Sequence, residues 1–171
     1  MVRTHELIDI VPDVEQDRRR RRWDSSCAPL WNLLDTVSDP EIPALSLWDL
    51  GVLQNIEKRG NQVIVTLTPT YSGCPAMSAM AEDIVSALAA AGYREVKIET
   101  RLSPAWTTDW MSAKAREHLR LAGIAPPSAT IQCPLCGSAD VQAVSEFGST
   151  ACKALYQCGH CAELFDYFKP L

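Results

Sequence analysis

Two short cysteine pairs near the C-terminus constrain this chain more than any other feature: Cys133-Pro-Leu-Cys136 and Cys158-Gly-His-Cys161, with 21 residues between them. A two-residue gap lets both thiolates of a knuckle bond one tetrahedral ion at about 2.3 Å, and Gly137 and Gly159 suit the tight backbone turn this requires. The intervening stretch is about one residue longer than the usual four-cysteine spacing, which a longer hairpin absorbs. Val141 to Phe147 and Ala151 to Gln157 are predicted to form that hairpin, turning at Gly148-Ser149. Four thiolates leave no coordination position for water, so the expected metal is one structural zinc per chain with no catalytic role. Iron or an iron–sulfur unit in the same ligands is the competing reading. Cys152 lies outside both knuckles and reads as a buried strand thiol, while His160 is expected to face solvent.

Residues 128–171 are too few to bury an adequate core alone, and chains that short generally need a metal or a cross-link. Ahead of them the apolar pattern describes a larger unit over residues 25–127. Pro29 suits a first helical turn, and Leu30, Leu33, Leu34 and Val37 follow at helical spacing until Asp39-Pro40 stops the helix. Gly51 to Ile56 and Gln62 to Thr68 read as a hairpin turning at Gly60-Asn61, with Val63, Val65 and Leu67 alternating against Ile64, Thr66 and Thr68. A second helix is predicted from Pro75 to about Ala91, stopped by Gly92, then a strand from Arg94 to Leu102. A third helix, capped by Thr108 or Asp109, should end at Gly123. The order helix, strand, strand, helix, strand, helix predicts an α+β fold, a three-stranded mixed sheet with packed helices, followed by the small four-cysteine ribbon. Pro126-Pro127 separates the two, and residues 1–24, with Arg18 to Arg22 in a row, read as a mobile tail.

No apolar run approaches the roughly 20 residues that span a bilayer, and the first 25 residues contain no apolar signal core. The chain is therefore expected in the cytoplasm, where thiols stay reduced and its seven cysteines would not form disulfides. Its net charge of −5 offers no basic face, and residues 128–171 hold only Lys153 and Lys169 as cations, which argues against a nucleic-acid partner. Apolar helix faces could serve a homodimer or only a core.

Another cysteine stands well apart from the ribbon. Thr68-Pro-Thr-Tyr-Ser-Gly-Cys74-Pro75 leaves a strand and enters a helix, predicting Cys74 at the N-cap and Pro75 at N1. There the helix dipole would lower the thiol pKa, making Cys74 either a soft-metal ligand or a plain structural cap. Asp39, Glu41 and Asp49 flank the loop Asp39-Pro-Glu-Ile-Pro; if that loop covers the same end of the sheet, it and Cys74 could hold a transient iron ion. His5 falls in the tail and His118 in a helix, so no base accompanies Cys74 and no catalytic residue is assigned.

These motifs resemble a known family. Asp39-Pro-Glu-Ile-Pro, Leu47-Trp-Asp-Leu-Gly51, the Gly-Cys-Pro ending at Pro75, and Ser103-Pro-Ala-Trp-Thr-Thr-Asp-Trp110 resemble the metal–sulfur cluster assembly domain family. With Ser145-Glu-Phe-Gly-Ser-Thr-Ala-Cys-Lys153 and Phe165-Asp-Tyr-Phe-Lys169, the two halves together resemble the small D components of bacterial phenylacetyl-CoA 1,2-epoxidase systems, over residues 27–169. The resemblance implies a non-enzymatic accessory protein of phenylacetate degradation that matures or repairs the system's metal centres, either the di-iron site or an iron–sulfur cluster. Its partners would be the oxygenase or reductase subunits. Its functional cysteine would be Cys74 and its acidic loop Asp39 and Glu41, carrying iron or a cluster transiently. A structural adaptor that binds no iron is the alternative.

Overall fold

The structure, a computed structural model, describes residues 13–171. The first element corrects the expected tail. Asp13–Trp23 forms helix α1, so only residues 1–12 of that segment, His5 among them, lie outside the described residues. Arg19, Arg20 and Arg21 stay exposed, but Arg18 leaves the solvent because it finds partners inside the protein. Its Nη1 donates to the Trp110 carbonyl, and Nη2 donates to those of Trp48 and Leu53 at 3.0 and 3.2 Å, while the guanidinium lies 4.2 Å above the Trp48 ring. Burial lowers the Arg18 pKa to about 10. Arg22 pairs with Asp35 at the outer end of the same helix.

Helix α2, Ala28–Leu34, begins with Pro29 in its first turn and buries Leu30, Trp31 and Leu34. Strands β1 (Ser38–Asp39) and β2 (Ile42–Ser46) form a small antiparallel pair around the acidic loop. Ser46 then caps the short helix α3, Leu47–Leu50. Next come β3 (Leu53–Arg59) and β4 (Gln62–Leu67), antiparallel, and after helix α4 (Met77–Ala90) strand β5 (Glu95–Thr100) returns parallel to β4. The order β3-β4-β5 gives the mixed three-stranded sheet anticipated from the sequence. Because β4 is the central strand, both of its alternating sets are buried, from Val63 and Val65 to Ile64, Thr66 and the following Thr68. Met80, Ile84 and Leu88 of α4 belong to the same main core.

The third helix divides. Thr107 caps a single 3₁₀ turn, Thr108–Trp110, the backbone becomes extended at Met111, and Ser112 caps α5, Ala113–Leu121. Two caps in succession, each bonding an N–H downstream, explain why one continuous helix does not form. Strand β6, Ile124–Ala125, follows before the prolines. It joins β7 (Val141–Ser145), β8 (Lys153–Cys158) and β9 (Leu164–Phe168) in a second sheet ordered β6-β9-β8-β7, in which only β6 and β9 run parallel.

The ribbon has its own small core of Ala125, Cys133, Ala154, Cys158, Phe165 and Tyr167. It is also fastened to the helix-bearing part. Phe168 is fully buried in the main core, its ring 5.9 Å from Trp106, and Thr108 N–H donates to Leu171 O at 3.1 Å. Arg116 bridges the junction by donating to Pro127 O and Thr108 O, both at 2.8 Å. Among the described residues no helix is long and apolar enough to cross a membrane.

Candidate functional site

Two places gather metal-ligating side chains. In the ribbon, Cys133, Cys136, Cys158 and Cys161 bring their sulfurs within 4.8 Å of one another. Cys133 Sγ lies 3.7 Å from Cys161 Sγ, and Cys136 Sγ lies 3.6 Å from Cys158 Sγ. A tetrahedron of sulfurs around zinc, with bonds of about 2.3 Å, has edges of about 3.8 Å, so the donor set fits such an ion. The first knuckle turns on Gly137, whose left-handed backbone lets its N–H reach Cys133 O at 2.9 Å. The second is built differently from expectation: Ala162, at φ 63°, takes the left-handed conformation, and its N–H bonds Cys158 O. Gly159 does not take a left-handed backbone, and its open side faces the exposed Asp140 carboxylate. The Cys161 N–H donates to Cys158 Sγ at 3.5 Å, a bond that favours the thiolate a metal needs. His160 is exposed.

The second place is a small, partly open cavity of about 20 Å³ lined by Asp39, Glu41, Tyr71, Cys74, Thr150 and Cys152, among others. The acidic loop thus does fold over the end of the sheet that carries Cys74. Asp39, at the end of β1, is 6% exposed, and its Oδ1 accepts the N–H groups of Glu41 at 2.7 Å and Ile42 at 3.1 Å. Burial raises its pKa against those two bonds. Glu41 is exposed at the rim.

Cys74 departs from expectation. Helix α4 starts at Met77 with Ala76 in the capping position, and Cys74 sits in a turn before it, its N–H bonding Tyr71 O at 3.2 Å. Three residues from the first helical turn, it receives little of the dipole, which falls off within that turn. Its pKa is raised rather than lowered: burial dominates, Asp39, Cys152 and Glu41 add repulsion, and one bond from the Ala76 N–H opposes them. Asp49 belongs elsewhere. Its carboxylate accepts the hydroxyls of Ser112 at 2.8 Å and Ser46 at 3.0 Å and pairs with Lys114, tying α3 to α5. His118 does not join the cavity either; its Nδ1 donates to Ala44 O at 2.9 Å.

Cys152 is the member that sequence reasoning missed. It precedes β8 instead of lying in it, is half-buried, and packs against the main core from the ribbon side. Its neighbours in sequence carry no apolar period, so the sequence held no signal that this thiol would meet Cys74.

Comparison with known proteins separates the two parts. Residues 28–100 match the family described as iron-sulfur cluster assembly protein, and residues 123–169 match the PaaD zinc beta ribbon domain. An Escherichia coli protein provisionally named as the D component of 1,2-phenylacetyl-CoA epoxidase is 46% identical over 149 residues, spanning 82% of this chain and 90% of that one. The chain belongs to the family of that epoxidase component. A Porphyromonas gingivalis protein named Fe-S protein maturation auxiliary factor is 38% identical over 89 residues, covering 51% of this chain and 84% of its own length. A crystal structure of a domain of unknown function from Bacillus anthracis superposes with a TM-score of 0.50 at 22% identity, over 61% of this chain and 95% of that one, and so shares the fold. The chain thus combines an assembly-type domain with a zinc ribbon.

Proposed function

We propose that this protein is a non-catalytic accessory factor that matures or repairs the metal centres of a phenylacetyl-CoA epoxidase system, handing iron or a cluster to an oxygenase or reductase subunit. Cys74 ligates that cargo, and Asp39 and Glu41 assist. One observation carries the reading: the acidic loop and Cys74, 33 or more residues apart, line a single cavity. The names of two relatives support it, one a component of the epoxidase and one a maturation factor. Cys133, Cys136, Cys158 and Cys161 hold one zinc, which fixes the ribbon; with four sulfurs at its corners the ion has no open position for chemistry.

Among the described residues no histidine lines the cavity to turn Cys74 into a nucleophile, and a thiol whose pKa is raised is a poor one. A metal replaces the proton directly, so the same thiol can still become a ligand. A second reading, a structural adaptor joining oxygenase components, draws on that neutral, half-buried thiol, which could serve packing alone.

Cys74→Ser separates the two, since serine fits the space but is a weak soft-metal ligand. The cargo reading expects cells carrying this variant to lose phenylacetyl-CoA epoxidation while the purified variant keeps its zinc. Epoxidation at the wild-type level would remove the cargo reading and leave the adaptor.

A further inference from the structure

The ribbon brings a second sulfur to the cavity. In the turn between β7 and β8, Lys153 N–H bonds Thr150 O at 3.1 Å, and Thr150 Oγ1 lies 3.1 Å from Cys152 Sγ. The Cys152 carbonyl accepts Lys169 N–H at 3.0 Å, one residue beyond Phe168 in the main core. The turn is therefore anchored on both sides, and its half-buried thiol opens on the same cavity as Cys74 and the 6% exposed Asp39. Both Asp39 bonds to backbone N–H groups fall on Oδ1, which leaves Oδ2 as the oxygen for a ligand.

Two thiols and a carboxylate form a mixed soft and hard donor set suited to a borderline divalent cation. Size decides what form the cargo takes. As its walls stand, about 20 Å³ admits one water-sized occupant, and a cluster of two irons with bridging sulfides would have to push them apart. Among the described residues only the ribbon cysteines gather as a tight group of three or more ligands, so an ion entering this cavity must draw its donors inward. That rearrangement lowers affinity and suits a passenger ion better than a resident one.

Resting on the maturation reading above, we propose that Cys74, Cys152 and Asp39 form a site between the two parts of the chain for a single Fe(II) ion. The ribbon then contributes a ligand to the cargo as well as a fold. Binding replaces the proton of each thiol and three waters of aqueous Fe(II): two Fe–S bonds and one Fe–O bond to Asp39 form, two S–H and three Fe–water bonds break, two protons and three waters leave, and no electron moves.

The test is an anaerobic titration of the full-length, zinc-loaded protein with Fe(II) alone, read by elemental analysis and by mass-spectrometric mapping of alkylated cysteines. One iron per chain is expected, with zinc unchanged and with alkylation of Cys74 and Cys152 suppressed together by about tenfold or more. Cys152→Ser is expected to weaken iron binding about tenfold or more and to retain zinc. The protection measurement uses the wild type, so it stands if that variant misfolds. Iron that shields Cys74 while Cys152 reacts at its iron-free rate overturns this site but leaves the maturation reading intact. No iron bound by the wild type overturns this site, while the maturation reading, which also admits a cluster as cargo, stands or falls with Cys74→Ser in cells. Two irons per chain shielding this pair overturn the single-ion assignment.

Discussion

Replacing Arg18 by alanine is expected to undock helix α1. The guanidinium donates through Nη1 to Trp110 O and divides Nη2 between Trp48 O and Leu53 O, so about two full charge-assisted bonds are at stake. At about 1.5–3 kcal/mol each, with about 1–2 kcal/mol for the cation over the Trp48 ring, they favour the docked helix by about 4–8 kcal/mol. Against this stands the cost of taking the charge out of water. Burial and the neighbouring Arg21 and Arg22 charges, partly offset by Glu15 and Asp49, lower the Arg18 pKa from 12.5 to about 10, a net penalty of roughly 3 kcal/mol on the charged form, and the buried Nε has no hydrogen-bond partner among the described residues. The attraction wins, and the loss on substitution should be near 3 kcal/mol, or a melting temperature lower by about 6–12 °C. Urea unfolding followed by circular dichroism measures it, with trypsin cleavage at Arg19 to Arg22 reporting release of the helix. Arg20→Ala, on the exposed face, is the control and should change stability by less than about 0.5 kcal/mol. A loss below about 1 kcal/mol for Arg18→Ala, or equal losses for both variants, would refute the assignment of Arg18 as the anchor.

Three further substitutions probe the remaining sites. Cys136→Ser should lower zinc from one per chain to none and expose residues 133–161 to amide exchange, because about 10–16 kcal/mol of structural-zinc binding is folding free energy in domains of this kind. Asp39→Asn should stabilise the protein at neutral pH while weakening iron binding. The Asp39 pKa is raised by burial, so its folded-state advantage exists below the unfolded value near 3.8 and is lost as pH rises through the folded value, whereas asparagine keeps the Oδ1 bonds without a charge. Asp49→Asn should cost about 1–2 kcal/mol near neutrality. Burial opposes ionisation of Asp49, but Ser112, Ser46 and Lys114 outweigh it and lower the pKa; the gap between variant and wild type should therefore close in acid, as pH falls through that depressed value. Urea titrations across pH check both carboxylates.

What the sequence disclosed and what it hid follow from how far each interaction reaches along the chain. The zinc knuckles were legible because two ligands three residues apart need nothing from the rest of the fold to find one ion. The mixed sheet was legible from the hairpin at Gly60 and the return through α4, both local signals. Arg18 was not, since its partners lie at Trp48, Leu53 and Trp110, up to 92 residues away, and a row of five arginines gives no sign of which one turns inward. The Cys74 turn looked like a helix cap because Pro75 suits the first helical position; the structure starts the helix two residues later, and the expected dipole effect went with it. Cys152 lay hidden for the same reason as Arg18: its meeting with Cys74 depends on the docking of one sheet against another.

That docking is reciprocal. Strand β6 lies ahead of Pro126-Pro127 yet completes the sheet that follows them, while Phe168, close to the C-terminus, fills a gap beside Trp106 in the earlier half. Each half thus lends the other a piece. A gene split at the prolines would yield two fragments from this chain, one with an unpartnered strand and the other with a stranded aromatic ring.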